Sequence, residues 1–370
     1  MEHNGDDGLI REPTVSLDDL LRGLIWPLLL RGPAMALRPE RWLLGICSVV
    51  AIGLIGSISH LWRDGDDPSF TEGLGQRVFE PVGNLVESAF PWRWQPDAFV
   101  ESARRVAYAP ANLLDAFPLS VVVLGIPMLA VWCVFGLAIS RSAACEVALA
   151  RVVSGTDAFA FGLKRWLSGF ASVFTPIAVI GAIHIIIATG GFLLLTWPGG
   201  NILGGLMHGF GMMLAAGAVL IGIAFLLGWI MLVPAVSCEG TDALDSVQRV
   251  YAYVVGRPAR LLVYLVLVGL IGVVSFTVVS LVRELAILMA DGAATQWAGN
   301  RALTIVSGAQ TQGTGGLAAS AMELWRTFFD VAVAGFIVSY VHTSGTLLYL
   351  LCRRVNDGQE IAELWTEDGR

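Results

Sequence analysis

The chain contains six long apolar stretches that no Asp, Glu, Lys or Arg interrupts, and nearly all of its charge lies between them. A membrane-spanning helix needs about 20 consecutive apolar residues, and a charge at the bilayer centre costs about 2.5 to 3.5 kcal/mol on insertion scales. The sequence therefore predicts an all-α polytopic membrane bundle of six transmembrane helices. These are expected at residues 42–61, 118–140, 170–197, 202–237, 261–282 and 331–351.

The composition supports this class and argues against others. Charged residues make up 14% of the chain, whereas an ordinary soluble domain has about 25%. The net charge of -7 and the scattered basic residues argue against nucleic-acid binding. The first twenty residues are acidic and polar where a secretory signal is basic and then apolar, so we expect no cleavable signal. Without CxxC spacing, we expect no disulfide, metal or other cofactor and assign apolar packing to Cys47, Cys133, Cys145, Cys238 and Cys352.

The basic residues are unequally divided between the two sides of the predicted membrane domain. With the N-terminus in the cytoplasm, 15 of them lie on the cytoplasmic side and 8 on the other, and the shorter loops all agree with the positive-inside rule. We therefore predict a multi-pass protein of the bacterial cytoplasmic (inner) membrane with both termini in the cytoplasm. The predicted parts are a cytoplasmic tail with a surface helix (1–41), the membrane domain (42–352) with an outer loop (62–117), and a solvated acidic tail (353–370).

Two segments outside the spans have apolar residues at helical spacing. Ser16, followed by Asp18 and Asp19, is a suitable helix start, and the apolar stripe after it predicts a helix on the cytoplasmic membrane surface that ends near Gly32. In the outer loop, residues 70–114 predict one or two interfacial helices. These form either a lid over the bundle or an element that gates a substrate or docks a partner. Because amphipathic surface helices are common, the lid is the simpler interpretation.

The second and fourth spans are followed by matching segments. A Cys-Glu dipeptide, at 145–146 and 238–239, precedes a Gly-Thr-Asp-Ala tetrapeptide, at 155–158 and 240–243. The equivalent placement indicates three two-span hairpins, each introduced by a cytoplasmic interfacial helix, with Cys352 ending the third.

The best-defined of these interfacial helices covers residues 243–255. Thr241 or Asp242 can cap its first turn, and Gly256 and Pro258 provide the stop. Its predicted apolar face consists of Leu244, Val247, Tyr251 and Val254. The helix is either an elbow between two spans, which we favour without a partner in view, or a coupling helix that contacts a cytoplasmic partner. The candidate partner-contact residues are Asp242, Asp245, Gln248 and Tyr251.

Residues 234–258, PAVSCEGTDALDSVQRVYAYVVGRP, contain a proline, then Glu-Gly, then an amphipathic helix. This pattern resembles an uncharacterised bacterial six-helix integral membrane protein family, which is similar to the membrane domain fused to some glycerophosphodiester phosphodiesterases. The resemblance covers the last four spans best. It implies a six-helix bundle with no established chemistry of its own.

Two histidines lie near the predicted midplane of the membrane, where an ionisable residue is a functional candidate by default. In a functional interpretation, the two histidines share a proton, line a pathway or hold a metal. In a structural interpretation, each is a neutral imidazole that is hydrogen-bonded to a neighbouring helix. With no carboxylate at the same depth to orient or charge them, we favour the second interpretation. The candidate midplane polar site comprises His184, His342, Ser339, Tyr340 and Thr343.

The sequence offers little evidence for catalysis. Ser344 and a histidine on another helix resemble the nucleophile and base of an intramembrane serine hydrolase. No further part of such a site can be recognised in the sequence, and neither an HExxH motif nor a pair of intramembrane carboxylates is present. We therefore predict no catalytic residues and a non-enzymatic envelope or membrane-assembly subunit. The alternative is a permease subunit, for a small molecule or lipid, coupled to a cytoplasmic ATPase. The expected partners are the lipid bilayer and either other membrane proteins or that ATPase.

Overall fold

The computed structural model describes residues 26–61, 69–89, 95–197, 199–297, 299–309 and 312–365. Within these ranges the secondary structure is helical, without strands. Six helices are long and apolar enough to cross a membrane, which confirms the predicted all-α bundle. They are α1 (Pro39–Ser57), α2 (Pro118–Leu149), α3 (Gly155–Leu195), α4 (Gly200–Glu239), α5 (Pro258–Thr295) and α6 (Gly313–Asp357). The predicted start of the N-terminal surface helix, at residues 16–25, lies outside the described residues.

The bundle has two ends. We call the terminal face the end where α1, α3 and α5 begin and where α2, α4 and α6 end, and the loop face the opposite end. The terminal face also carries a 3-10 helix (Trp26–Arg31), a short helix (Gly32–Ala36) and the elbow helix (Ala243–Gly256). Shorter helices on the loop face are Phe70–Leu74, Glu80–Ala89, Pro96–Ala116 and Gly299–Val306.

The helices begin and end at local sequence signals. Pro39 and Pro258 occupy the first turns of α1 and α5, where the missing N–H of proline has no intrahelical partner to lose. Ser154 caps α3, and its Oγ accepts a hydrogen bond from the Asp157 amide at 3.2 Å. Gly240 follows α4 with a φ of 62°, a left-handed conformation that favours glycine after a helix.

Helix α6 lies at the centre of the bundle. Within its most apolar window 72% of the residues are buried, compared with 6% for α5 and 0% for α3. It contacts α1, α2, α4 and α5. Gly335 of α6 lies directly against Gly45 of α1, and Gly345 lies directly against the Ile230 carbonyl of α4, so neither glycine leaves room for a side chain. Such small residues allow close approach between membrane helices.

The helices form three hairpins, α1–α2, α3–α4 and α5–α6, as predicted. The elbow helix is separate from α5 because Pro258 lacks the N–H that would continue the elbow helix. Before α3, however, the prediction of a separate interfacial helix is wrong. Gly155 begins one continuous helix of 41 residues. The first Gly-Thr-Asp-Ala tetrapeptide therefore starts a helix, whereas the second follows the end of α4.

The outer loop contains the predicted helices. Ser69 and Glu72 form a reciprocal capping box at the start of Phe70–Leu74. Phe70 is buried, and its ring lies 6.0 Å from that of Phe117 in an edge-on arrangement. Together with Leu113 and residues of α2, it forms an apolar cluster that fixes the loop on the bundle. This packing is what the lid interpretation expects.

The five cysteines are free thiols. Four of them pack inside the bundle as predicted, namely Cys133, Cys145, Cys238 and Cys352. The prediction is wrong for Cys47, which is exposed because its side of α1 faces away from the other helices.

Candidate functional site

The predicted midplane residues of α6 are buried in the bundle. Ser339 Oγ donates a hydrogen bond to the Ala36 carbonyl oxygen at 2.8 Å. Tyr340 donates from its hydroxyl to the Val268 carbonyl oxygen of α5 at 2.6 Å. These bonds join α6 to two neighbouring segments, a structural use of polar groups that is common between membrane helices.

His342 is packed tightly against α2. Its ring centroid lies 4.7 Å from that of Trp132, and a Cβ added to Gly136 would lie 2.8 Å from its Nε2 atom. In the described part of the chain, His342 Nε2, Thr343 Oγ1 and Ser344 Oγ have no hydrogen-bond partner. A buried polar atom without a partner costs about 1 to 3 kcal/mol. This run is therefore an incompletely satisfied part of the core and the best-formed piece of the candidate site.

His184 does not join this group. It lies on an exposed side of α3, with its ring centroid 6.2 Å from that of Tyr108 in an edge-on contact. Ser344 of α6 is buried away from His184. Its Oγ lies 2.8 Å from the position that a Cβ on Gly32 would take. The structure therefore gathers four of the five candidate midplane residues on α6, and it surrounds His184 and Ser344 with different neighbours.

The elbow helix is where the sequence predicts it, but its buried face differs. Asp242 is the N-cap residue without a capping hydrogen bond from its side chain. Leu244, expected on the apolar face, is 59% exposed, whereas Val250 and Tyr253 are buried. The difference arises because the helix packs against α3, α4, α5 and α6 together, and not against one flat membrane surface.

The candidate partner-contact residues fall into two groups. Asp242, Asp245 and Gln248 are exposed. Tyr251 is half-buried, and its hydroxyl donates to the Ile221 carbonyl oxygen of α4 at 3.2 Å. Burial raises the pKa of Tyr251 to about 12, so the hydroxyl remains a donor at neutral pH. Tyr251 thus anchors the elbow, and the three polar residues form its free surface.

The Cys-Glu dipeptide at the end of α2 forms an ion-pair cluster. Glu146 pairs with Arg38 at 2.7 Å and with Arg41. The Arg41 side chain is 1% exposed, and its guanidinium also donates to the Met35 carbonyl oxygen at 2.7 Å and to Ser142 Oγ at 3.1 Å. A buried charge needs such pairing and hydrogen bonding. The cluster fixes the start of α1 to the end of α2.

The matching dipeptide at the end of α4 forms a second cluster. Glu239 accepts hydrogen bonds from Arg353 at 2.8 Å and from the Tyr349 hydroxyl at 3.1 Å, and Arg249 of the elbow helix lies 3.7 Å away. The matching Cys-Glu dipeptides are a usable signal for these clusters, because each glutamate lies in the last turn of a helix that ends at the same face. Their arginine partners are distant in sequence and gave no signal.

Residues 358–365, which we call the C-terminal strap, fold back onto the terminal face. Arg353 donates to the Glu360 carbonyl oxygen at 2.9 Å and to that of Glu363. Trp365 donates from its amide to the Cys238 carbonyl oxygen at 3.2 Å, and Arg141 donates to the Trp365 carbonyl oxygen at 2.8 Å. The expectation of a free, solvated tail is therefore wrong for the strap, because its backbone carbonyls supply acceptors that a buried arginine needs.

The fold and its outer surface define a class of protein. Six apolar helices of sufficient length, with many exposed apolar side chains, define a multi-pass membrane protein whose environment is a lipid bilayer. Comparison of the chain with protein-family models, with curated proteins and with solved structures finds no match. The family resemblance of residues 234–258 therefore stays a prediction.

Proposed function

We propose that the protein is a non-enzymatic subunit of an envelope or membrane assembly in the bacterial cytoplasmic membrane. The observation that carries this proposal is the uncharged length of the α3–α4 hairpin. Helix α4 has 40 residues and a single charged one, Glu239, at its end. At 1.5 Å per residue it is an uncharged rod of about 60 Å. The uncharged part of α3, residues 166–195, adds a parallel rod of about 45 Å.

A bilayer does not cover this length. Its hydrocarbon core is about 30 Å thick. Even at a tilt of about 40°, the upper end of the usual range, α4 would still span about 46 Å along the membrane normal. In contrast, the uncharged part of α5, residues 261–282, is about 33 Å long and matches the core. The uncharged length of α4 therefore exceeds the hydrocarbon thickness. Its last turns, Met231 to Cys238, are buried in the bundle, and we infer that its opposite end, with the end of α3, projects beyond the hydrocarbon.

The extension carries large apolar side chains. We define the α3–α4 tip as residues 190–197 and 199–213. Its most exposed apolar residues, between 69% and 81% exposed, are Phe192, Trp197, Ile202, Leu206 and Met213. Contiguous apolar patches outside lipid are uncommon on monomeric proteins and mark interaction surfaces. The exposed apolar residues of this tip therefore favour contact with an apolar surface of another membrane protein.

We also propose that both termini lie in the cytoplasm. Six crossing helices return the chain to the side from which it started, so Pro39 and Asp357 share one face. The excess of basic residues in the segments at this face supports a cytoplasmic position under the positive-inside rule.

The proposal is tested by purifying the tagged full chain in a mild detergent and identifying co-purifying proteins by mass spectrometry. The test variant is Ile202→Asn/Leu206→Asn, at positions 81% and 75% exposed. A matched control is Leu317→Asn/Leu324→Asn on α6, where the side chains are 74% and 70% exposed. We expect stoichiometric membrane proteins with the native chain and the control, and their loss from the tip variant.

Two outcomes would contradict this proposal. The first is recovery of the same proteins with the tip variant. The second is recovery of a cytoplasmic ATPase in their place, which would support the permease alternative. One observation favours that alternative: the elbow helix packs on four membrane helices and has a free polar surface, formed by Asp242, Asp245 and Gln248. Loss of the ATPase on Asp245→Asn/Gln248→Ala would then identify the contact.

A further inference from the structure

The C-terminal strap is linked to both ends of the elbow helix. Tyr253, in the last turn of that helix, donates from its hydroxyl to Asp357, the last residue of α6 before the strap. At the far end of the strap, the Trp365 ring lies against Gly240, which joins α4 to the elbow helix, and a Cβ added there would lie 2.4 Å from the ring. The strap can span this distance, because the elbow helix of 14 residues is about 21 Å long and a strap of this length extends to about 26 Å.

A third link lies between these two. Glu239 accepts a hydrogen bond from Arg353 at 2.8 Å, and Arg249 of the elbow helix lies 3.7 Å from its other carboxylate oxygen. The same Arg353 guanidinium donates to the carbonyl oxygens of Glu360 and Glu363. Displacement of the elbow helix would therefore shift the carboxylate that positions the arginine on which the strap depends.

The strap itself is weakly held. Its hydrogen bonds to Arg353, Arg141 and Cys238 use its backbone, and none of the residues 358–365 is fully buried. Gly358, at the junction with α6, has a φ of 70°. A segment with few buried apolar contacts opens at a low cost in free energy. Arg353 also keeps its Glu239 partner when the strap leaves, so release strands no buried charge.

We propose that the strap and the elbow helix form a coupled latch, in which displacement of either one releases the other. The free polar surface of the elbow helix, formed by Asp242, Asp245 and Gln248, is where a partner would act on the latch. Such coupling is reciprocal, because each movement favours the other by the same free energy. The proposal does not depend on the assembly function proposed above, because both elements belong to this chain and lie opposite the α3–α4 tip.

The first test is proteolysis of the purified full chain in a mild detergent by endoproteinase Glu-C, which cuts after glutamate. Tyr253→Phe removes the hydroxyl that bonds Asp357. The matched control, Tyr251→Phe, removes a hydroxyl of the same helix that bonds a carbonyl oxygen of α4. Cleavage follows the population of the open form when opening is fast, and hydrogen bonds to charged groups are among the stronger ones. We therefore expect strap cleavage to be about tenfold faster in Tyr253→Phe and unchanged in the control.

Cleavage after Glu146 distinguishes a latch from a general loss of stability. This glutamate is paired with Arg38 and Arg41 at the end of α2, outside the strap and the elbow helix. Faster cleavage of the strap with unchanged cleavage after Glu146 supports the latch. Equal acceleration at both places would assign the effect to general unfolding and overturn the proposal. Unchanged strap cleavage in Tyr253→Phe would overturn it as well.

The second test measures the coupling in the opposite direction. Trp365→Ala removes the ring that lies against Gly240, and the control Trp325→Ala removes a tryptophan of α6 that is 65% exposed. Hydrogen exchange is measured at the backbone amides of residues 250–256, the last two turns of the elbow helix. We expect exchange there to be at least about fivefold faster in Trp365→Ala, the lower end of typical coupling between sites, and unchanged in the control. Unchanged exchange in Trp365→Ala, with its strap cleaved by Glu-C, would refute the coupling.

Discussion

Replacement of Arg353 is the substitution that we expect to disturb the terminal face most. Its side chain is 2% exposed, and it donates to the Glu239 carboxylate at 2.8 Å and to two carbonyl oxygens of the C-terminal strap. In Arg353→Met, a long apolar side chain fills the site, but every hydrogen-bond donor of the guanidinium is lost. Glu239, whose side chain is 13% exposed, then keeps the Tyr349 hydroxyl as its closest donor.

The expected loss can be bounded from this geometry. Removal of one partner from a buried ion pair costs about 3 to 5 kcal/mol. The lower end applies here because Glu239 is not fully buried and retains Tyr349, so we expect a loss of about 3 kcal/mol in the free energy of unfolding. Arg354→Met is the matched control, since Arg354 is exposed, and should change that free energy by less than about 0.5 kcal/mol.

A double-mutant cycle separates the ion pair from the packing of the side chain. Glu239→Gln removes the charge that Arg353→Met leaves with Arg249, 3.7 Å away, as its ionic partner. The double variant should therefore cost less than the sum of the single variants, by about 1 to 3 kcal/mol. The free energies are measured by unfolding in mixed micelles of a mild detergent and sodium dodecyl sulfate.

The strap provides an independent readout. Endoproteinase Glu-C cleaves after glutamate, so release of the strap should expose Glu360 and Glu363 to cleavage in Arg353→Met and not in Arg354→Met. The products are identified by intact mass. Equal stability of the two methionine variants, with the strap protected in both, would refute the reasoning. Strict additivity in the cycle would show that Arg353 acts by packing and not through Glu239.

Three further predictions concern packing and orientation. Gly136→Ala should lower the free energy of unfolding by about 1 to 3 kcal/mol in the mixed-micelle assay, because its Cβ would lie 2.8 Å from His342 Nε2. The control is Gly53→Ala, where nothing lies within 4 Å of the added Cβ. An effect of Gly136→Ala no larger than that of the control would contradict the tight packing. Gly240→Ala combines a φ of 62° with a Cβ against the strap, so it should cost about 1 to 3 kcal/mol and increase Glu-C cleavage, and a protected strap would count against this. Green fluorescent protein fused to the C-terminus should fluoresce and alkaline phosphatase inserted at 62–68 should be active, whereas the reverse pattern would invert the proposed orientation.

The membrane helices could be predicted from the sequence because insertion into lipid depends mainly on local composition. Their ends could not be predicted from the same signal. The third span was expected at 170–197, but α3 already begins at Gly155, since a helix continues into water until a capping or breaking residue stops it. The end of the elbow helix was predictable for that same reason, because Pro258 supplies such a break.

The contacts of the terminal face could be predicted only in part. The Cys-Glu dipeptides indicated two equivalent positions, but the partners of the glutamates, Arg41 and Arg353, come from opposite ends of the chain. The acidic composition of the tail correctly indicates that the side chains of Glu360 and Glu363 face water. It could not indicate that their backbone carbonyls bind Arg353, because every residue carries that acceptor and only the fold selects which ones are used.

The burial of the midplane residues has a physical explanation that needs no activity. In lipid, apolar surfaces gain little by leaving the solvent, whereas polar groups gain hydrogen bonds when they face another helix. Helix α6 has a lower mean hydropathy than α2, α3, α4 and α5, and its window is the most buried of the six. This sorting accounts for the positions of Ser339 and Tyr340, whose hydroxyls donate to neighbouring segments, but not for that of His342, whose Nε2 has no partner among the described residues. It does not account for an uncharged hairpin longer than the hydrocarbon core is thick. Function is therefore best sought at the α3–α4 tip, whose large apolar side chains are exposed among the described residues.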